Sequence, residues 1–212
     1  MLQPGSEPAA VPAAAAEPLR RGEVVAFPTD TVVGLGCRMD SQAGIATIFR
    51  LKGRDADRPL TLFVGSIRQA EEFTGPLPAR VRTLLERCWP GALTAVLPCR
   101  AALPEGVGKS GTVGLRMPAH PVPQELVRLA GIPLATTSAN RSGEQPLANA
   151  EDARALWGRN VFVVPGVCGS VPSTVADFAV WPPKVLRAGA LSGADLLRFS
   201  LESFNDRARL HL

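Results

Sequence analysis

Short apolar runs alternate along the chain with segments in which apolar residues recur at helical spacing. The apolar runs predict strands at residues 24–27, 60–64, 93–97, 112–117, 133–136, 161–164, 174–178 and 185–187. The helical spacing predicts helices at residues 41–52, 66–73, 78–88, 123–130, 149–157 and 190–200, with Ser41 and Asn149 as N-caps of two of them. Strands that alternate with helices, and in places follow one another directly, predict an α/β domain with a twisted mixed sheet flanked by helices.

The length of the chain predicts one domain, because 212 residues are within the range of a single α/β domain. Residues 1–18, rich in alanine and proline, are predicted to be a flexible leader, residues 19–200 the domain, and residues 201–212 a C-terminal tail. The leader lacks the basic start and continuous apolar core of a signal peptide. The longest apolar runs are well short of the roughly 20 residues that span a bilayer, so we expect no membrane segment.

Charge and cysteine content indicate which class of binding partner and which cellular compartment the sequence favours. The formal net charge of +4 and the pI of about 9.2 favour an anionic partner but do not by themselves indicate nucleic acid. Four cysteines, at positions 37, 88, 99 and 168, lack the paired spacing of a zinc site, so we expect reduced thiols in a cytoplasmic protein. The two histidines, His120 and His211, leave little room for a Ser-His-Asp triad or a histidine-rich metal site.

One segment, residues 28–60, has the composition of a pocket wall for an anion. It opens after a predicted strand with the polar sequence Pro-Thr-Asp-Thr and a turn that contains Gly34 and Gly36. It closes with cations around a helix end, namely Arg50, Lys52, Arg54 and Arg58. Hydroxyls and bare backbone at one end and fixed positive charge at the other suit an anionic substrate. The alternative is a solvated helix terminus whose cations offset the helix dipole.

Two glycine-containing motifs resemble nucleotide-binding loops but are incomplete. The sequence Gly108-Lys109-Ser110 looks like the end of a Walker loop, yet Leu103 stands where that loop needs its first glycine, and a strand is predicted to follow. The pair Gly34-x-Gly36 lacks the third glycine of a dinucleotide fingerprint, because Met39 occupies that position. We predict that neither motif carries the function.

Three further polar clusters lie at or beside predicted strands, and the first of them, residues 135–143, follows a strand, where α/β proteins tend to bind ligands. Ser138 and Asn140 lie in the run 135–143, Arg116 ends the predicted strand before Met-Pro, and Ser173 is followed by Arg187 at the end of a later strand. An arginine at a strand end can bind a carboxylate or phosphate through two N–H groups. Each cluster also has a plain structural interpretation, as a polar turn, a surface ion pair or an edge cation.

Together and in order, these motifs resemble the YrdC-like family, the L-threonylcarbamoyladenylate synthases. The resemblance covers roughly residues 20–190 and implies a YrdC/RibB-like fold and, because the chain ends soon afterwards, the short single-domain form. Its motifs here are Pro-Thr-Asp-Thr-x-x-Gly-Leu at 28–35, Lys-x-Arg at 52–54, Trp-Pro-Gly at 89–91, Gly-Leu-Arg-x-Pro at 114–118, Thr-Ser-Ala-Asn-x-Ser-Gly at 137–143, Ser-Thr-Val at 173–175 and Leu-Arg-x-Gly at 186–189.

The resemblance implies an adenylation reaction. L-threonine, bicarbonate and ATP would give threonylcarbamoyl-AMP and pyrophosphate, the intermediate for modifying the tRNA adenosine beside the anticodon, with Mg²⁺ held mainly by the ATP phosphates. By resemblance, the residues on the nucleotide side are Lys52, Arg54, Arg58, Thr112, Ser138, Asn140, Pro146 and Arg187, of which Lys52, Arg54, Ser138 and Asn140 are the catalytic set. Those on the threonine side are Thr31, Phe63, Arg116, Thr136 and Ser173. Positioning and charge stabilisation supply most of the catalysis in such reactions, so a pocket without a histidine base is suited to it.

The chain departs from the family pattern at Val33, where relatives often have tyrosine, and it has no tyrosine at all. The implied partners are the downstream tRNA threonylcarbamoyl-transfer proteins, with a weak contact to tRNA or RNA and no membrane. One alternative is an RNA-binding module of the same fold without adenylation activity, although the aromatic residues are not clustered for base stacking. A second alternative is another nucleotide-using transferase or a carbamoyl-transfer enzyme.

Overall fold

A mixed sheet of nine strands forms the framework of the computed structural model, which describes residues 13–55, 57–147 and 149–208. The strands are β1 Val25–Phe27, β2 Gly34–Arg38, β3 Thr61–Phe63, β4 Leu93–Pro98, β5 Thr112–Arg116, β6 Leu134–Ser138, β7 Phe162–Val163, β8 Thr174–Asp177 and β9 Lys184–Arg187. Their order across the sheet is β7-β1-β2-β6-β3-β5-β4-β8-β9. The pairs β1–β7, β3–β5 and β4–β8 are parallel and the other neighbours are antiparallel, which confirms the predicted mixed α/β sheet.

Helices cover both faces of this sheet. They are α1 Ala16–Arg20, α2 Gln42–Lys52, α3 Ile67–Thr74, α4 Ala79–Cys88, α5 Pro121–Ala130, α6 Asp152–Trp157 and α7 Gly193–Ala208, with short 3-10 turns at Ala13–Ala15 and Gly158–Asn160. Successive residues of β1 point to opposite faces, so Phe27 packs with Leu19 and Leu126 while Ala26 packs with Ile45 and Leu84. Strand β1 is therefore buried on both faces, whereas the edge strand β9 is exposed.

The polar residues that begin the helices behave largely as the sequence predicts. Ser41 and Ser66 accept hydrogen bonds from the backbone N–H of Gly44 (3.0 Å) and Gln69 (3.1 Å) and so cap α2 and α3. Asn149 accepts from the N–H of Glu151 at 3.1 Å, but α6 begins only at residue 152, so Asn149 stabilises the preceding turn instead of capping the helix.

The segment after β1 was wrongly predicted to be only a turn, because residues 34–38 form the buried strand β2. Its glycines are required by packing: a Cβ at Gly34 would lie 2.6 Å from the Phe27 ring, and one at Gly36 would lie 2.9 Å from Cγ2 of Thr136. The glycine content that resembles a turn thus reflects a strand that runs beneath an aromatic ring.

The predicted chain ends are corrected where the structure describes them. Residues 13–18, placed in the flexible leader, are helical, and Leu19 at the end of this stretch is fully buried, so they belong to the domain. Residues 201–208, placed in the tail, continue helix α7. Residues 1–12 and 209–212 lie outside the described residues, where the leader and tail stay predictions. Among the helices of the described residues, none combines the length and apolarity needed to cross a membrane.

Candidate active site

A cavity of about 330 Å³ lies against the sheet, and most of the predicted site residues line it. Its walls come from β2, β3, β4, β5, β6, β8 and β9 and from the loops between them. The predicted residues in the lining are Thr31, Arg54, Phe63, Thr112, Arg116, Thr136, Ser138, Pro146, Ser173 and Arg187. Lys52, Arg58 and Asn140 do not line it. The structure therefore brings together residues that are up to 156 positions apart (31 to 187) around one space.

Arg116 forms one end of the cavity, where β5 ends. Its Nη1 donates to Oγ1 of Thr31 at 2.8 Å, its Nη2 to Oδ1 of Asp30 at 2.6 Å, and its Nε to the carbonyl of Gly91 at 3.0 Å. The ring of Phe63 lies 5.5 Å from the guanidinium carbon. Burial lowers the pKa of Arg116, and Asp30 opposes that shift. Each terminal nitrogen carries a further N–H, so the fixed guanidinium can also bind a carboxylate.

Hydroxyl groups stand beside this arginine. Oγ1 of Thr29 lies 3.0 Å from Oγ1 of Thr31, accepts from the Thr31 N–H at 3.0 Å and donates to the Val32 carbonyl at 2.7 Å. The Thr136 hydroxyl donates to the carbonyl of Thr61 at 2.9 Å. These contacts fix the side-chain rotamers, so the polar groups at this end are already oriented before a ligand arrives.

The loop before β8 and the end of β9 meet at Ser173. Its hydroxyl lies 2.9 Å from that of Thr94, and Nη2 of Arg187 donates to the Ser173 carbonyl at 2.8 Å and to its Oγ at 3.2 Å. Burial lowers the pKa of Arg187. Arg187 therefore reaches from the last strand to the hydroxyl groups of the cavity.

Arg54 lies in the loop after α2 and also lines the cavity. It donates to Oγ1 of Thr137 at 3.1 Å and to the carbonyls of Arg58 (2.6 Å) and Pro59 (3.0 Å). Burial lowers its pKa to about 10, and the positive charges of Arg58 and Arg187 add to that shift. Arg58 itself is exposed and contributes charge near the cavity without lining it. Arg54, Arg58 and Arg187 are thus close enough for their positive charges to interact.

Lys52 differs most from its predicted position, because it is buried below the 138–140 segment and does not face the cavity. Its Nζ donates to the carbonyls of Ser138 (2.5 Å) and Asn140 (2.6 Å) and lies 3.2 Å from Oδ1 of Asn140. The same Oδ1 accepts from the Ser138 hydroxyl at 2.6 Å. Only 3% of Lys52 is exposed, and burial, followed by the charge of Arg54, lowers its pKa to about 8. Lys52 ties the end of α2 to the loop that carries Ser138 and Asn140.

Several lining residues were not predicted. Thr94 and Thr61 lie inside predicted strands and carry no motif, so only the tertiary fold shows that they face the cavity. Thr29 and Asp30 were within the opening motif, and their contacts to Thr31 and Arg116 explain why that motif contains them. Lys109 belongs to the rejected Walker-like motif and nevertheless lines the cavity. That motif is followed by strand β5, as predicted, so it is not a Walker loop.

Comparison with known proteins assigns the family. Residues 17–189 match the family model Sua5_yciO_yrdC, described as "Telomere recombination". The chain is 43% identical to threonylcarbamoyl-AMP synthase of Bacillus subtilis (strain 168) over 185 residues, which are 85% of this chain and 54% of that protein. It is 40% identical to threonylcarbamoyl-AMP synthase of Thiobacillus denitrificans (strain ATCC 25259 / T1) over 173 residues, which are 80% of this chain and 91% of that protein.

The fold agrees with solved structures of the same group. The crystal structure of P. abyssi Sua5 complexed with L-threonine matches with a TM-score of 0.81 and 37% identity, over 88% of this chain and 56% of that one. The crystal structure of E. coli YciO matches with a TM-score of 0.76 and 25% identity, over 84% and 89%. The chain spans about half the length of the first curated relatives that it matches. The predicted resemblance is confirmed, and the chain belongs to the Sua5/YciO/YrdC family.

Proposed function

We propose that this chain makes threonylcarbamoyl-AMP and pyrophosphate from L-threonine, bicarbonate and ATP. The observation that carries the proposal is a cavity lined by two chemically different groups: buried Arg116 with the hydroxyls of Thr31 and Ser173, called the arginine end, and the cations Arg54 and Arg187, called the cationic end. Relatives from several bacteria are named threonylcarbamoyl-AMP synthase, and a related Sua5 structure contains L-threonine. A cavity of this volume is within the usual range for small-molecule sites.

The arginine end is suited to the amino acid. Arg116 is buried and its position is fixed by three protein contacts, so it is preorganised to bind the threonine carboxylate. The hydroxyls of Thr31 and Ser173 would orient the amine and the side-chain hydroxyl of threonine. The amine condenses with bicarbonate to a carbamate with loss of water, and a carbamate oxygen is then the nucleophile.

The cationic end is suited to the triphosphate. In the adenylation step the carbamate oxygen attacks the α-phosphorus of ATP, and pyrophosphate leaves. Arg54 and Arg187 would contact phosphate oxygens, where charge increases in the transition state. The Ser138 hydroxyl would turn from Oδ1 of Asn140 to donate to another phosphate oxygen. Lys52 would act indirectly, because its ammonium group holds the two carbonyls of the loop that presents Ser138. No covalent enzyme intermediate is needed.

The metal, the compartment and the partners stay expectations. The cavity lining contains no carboxylate side chain, so the described lining residues are not a ligand set for Mg²⁺. We keep the prediction that the metal enters with the ATP phosphates, and we derive no step through it. A cytoplasmic location, transfer to downstream tRNA threonylcarbamoyl-transfer proteins and a weak RNA contact are part of the same proposal.

The test is mass-spectrometric detection of threonylcarbamoyl-AMP after incubation of the full chain with ATP, Mg²⁺, L-threonine and bicarbonate. Omission of threonine, or replacement of bicarbonate by a bicarbonate-free buffer, is the matched control and should abolish the product. Folded protein that makes no adenylate under these conditions would overturn the proposal. RNA retention that is indifferent to ATP and threonine would instead support the RNA-binding alternative.

A further inference from the structure

Lys109 is fixed beside the nucleotide end of the cavity by a tight hairpin turn. The backbone N–H groups of Lys109 and Thr112 donate to each other's carbonyls, both at 2.9 Å. The two residues between them have left-handed backbone angles, with φ of 51° at Ser110 and 73° at Gly111, as a two-residue type I′ hairpin turn requires. The Thr112 hydroxyl also donates to the Lys109 carbonyl at 2.8 Å. The turn therefore fixes the backbone of Lys109 next to Thr112, which lines the same cavity.

The Lys109 side chain lines the cavity but is bound only by a weak surface contact. Its Nζ lies 2.9 Å from Oδ1 of Asp57 and 3.4 Å from the Asp57 carbonyl. The two side chains are 52% and 80% exposed. Ion pairs this exposed contribute little to stability. A stronger anion can therefore displace the aspartate at little cost.

The surroundings of Lys109 favour such an anion. Arg54 and Arg187 line the same cavity, and the charge of Arg187 adds to the burial that lowers the pKa of Arg54. Within the part of the chain that the structure describes, neither arginine is within ion-pair distance of a carboxylate. Of the cations Arg54, Lys109 and Arg187, Lys109 alone is paired with a carboxylate among the described residues, and that carboxylate is Asp57.

We propose that Lys109 is a further triphosphate-binding residue of this site and that Asp57 is its counter-ion in the nucleotide-free protein. The inference rests on the proposed function for ATP as the ligand. When ATP binds, a phosphate oxygen replaces Oδ1 of Asp57 as the acceptor for the Lys109 ammonium. The multiply charged triphosphate competes well against one exposed carboxylate, because it gains attraction from Arg54 and Arg187 at the same time.

Substitution of Lys109 and substitution of Asp57 should change nucleotide affinity differently if Lys109 binds phosphate, but alike if the ion pair is purely structural. If the pair only joins the two loops, then Lys109→Met and Asp57→Asn remove the same contact and should change ligand affinity alike. If Lys109 binds phosphate, Lys109→Met weakens nucleotide binding. Asp57→Asn then strengthens it, because it removes the group that competes with the phosphate. The sign of the Asp57→Asn effect separates the two interpretations.

The experiment is isothermal titration of the full chain with a non-hydrolysable ATP analogue and, separately, with inorganic tripolyphosphate. Low salt is needed, since charges this exposed are screened over about 8–10 Å at physiological ionic strength. We expect Lys109→Met to raise Kd on the order of tenfold and Asp57→Asn to lower it roughly twofold to fivefold. Lys184→Met is the matched control, because Lys184 is exposed on β9 and does not line the cavity; its Kd should stay within about twofold of wild type.

The outcomes separate this inference from the proposed function. If wild type binds the ATP analogue and Lys109→Met binds it equally well, or if Asp57→Asn weakens binding as much as Lys109→Met, the inference is overturned while the function stands. If wild type binds tripolyphosphate through Lys109 but not the ATP analogue, the phosphate site stands and the proposed function fails. If folded wild type binds neither ligand, both are overturned.

Discussion

Replacement of Lys52 by methionine tests whether this lysine supports the 138–140 loop or contacts the nucleotide. Methionine keeps the length and apolar packing of the side chain but removes the ammonium group. The carbonyls of Ser138 and Asn140 then lose their donor, whereas Oδ1 of Asn140 keeps the Ser138 hydroxyl as a partner. We therefore expect two unsatisfied carbonyl groups in a buried setting.

The size of the effect follows from those two groups. Each buried carbonyl left without a donor costs about 1–3 kcal/mol. The variant also no longer buries an ammonium group, a cost that is evident in the lowered pKa of Lys52, so part of the loss is offset. We expect a net loss of about 2–4 kcal/mol in the free energy of unfolding. In a domain of this size that is a fall in Tm of roughly 4–16 °C, with poorer presentation of Ser138 and slower pyrophosphate release.

The assay combines thermal and urea unfolding with pyrophosphate release, measured at a temperature where the variant is folded. Arg50→Met is the matched control, because Arg50 is exposed on the same last turn of α2 and should change stability by less than about 1 kcal/mol. A Lys52→Met variant with wild-type Tm but no pyrophosphate release would refute the reasoning. It would show that Lys52 contacts the nucleotide directly, as the motif alone suggested.

Three further predictions concern the threonine end and its surroundings. Arg116→Lys should raise the KM for threonine at least about tenfold in steady-state kinetics with little change in the KM for ATP, because an ammonium cannot reproduce three contacts and a bidentate carboxylate. Gly169→Ala should destabilise the protein by about 1–3 kcal/mol in urea unfolding, because the new Cβ would lie 2.5 Å from the carbonyl oxygen of Asp30. Gly193→Ala is the control and should be tolerated, because its Cβ would lie 3.6 Å from the nearest side-chain atom. His120 accepts the N–H of Val122 to cap α5, and burial lowers its pKa. Below about pH 6.5 the unfolded chain therefore binds more protons at this position than the folded protein does. Urea unfolding at pH 7 and pH 5 should show a larger loss of stability on acidification for wild type than for the His120→Asn variant.

The sequence predicts most helices and strands because their patterns are local. Ser41 and Ser66 are good N-caps followed by apolar residues at helical spacing, and both begin the expected helices. Strand β2 could not be predicted in the same way. Its residues Gly34 and Gly36 are glycines only because the Phe27 ring and the Thr136 side chain occupy the space of a Cβ. That reason lies in a neighbouring strand, and no local pattern contains it.

The candidate site shows the same division between local and tertiary information. The motifs name Arg116 and Ser173, but they do not indicate that Asp30 fixes the first and Thr94 contacts the second. The motif that contains Lys52 predicts a cation near phosphate, whereas the burial of its ammonium under two carbonyls depends on how α2 meets β6. A motif indicates which residues matter, and the fold determines through which atoms they act.

The two ends of the cavity differ in how their charge is balanced, and this difference bears on how the substrates bind. At the proposed threonine end, Asp30 pairs with Arg116, so the charge of that arginine is balanced before any ligand arrives. At the proposed nucleotide end, burial and then the positive charges of Arg58 and Arg187 lower the pKa of Arg54, and the exposed Asp57 pairs with Lys109. A triphosphate would offset that positive charge, whereas a zwitterionic amino acid would meet an arginine that is already paired. Under the proposed function, the electrostatic gain on binding would therefore be concentrated on ATP, and selection of threonine would depend on the geometry of hydroxyls around a fixed guanidinium.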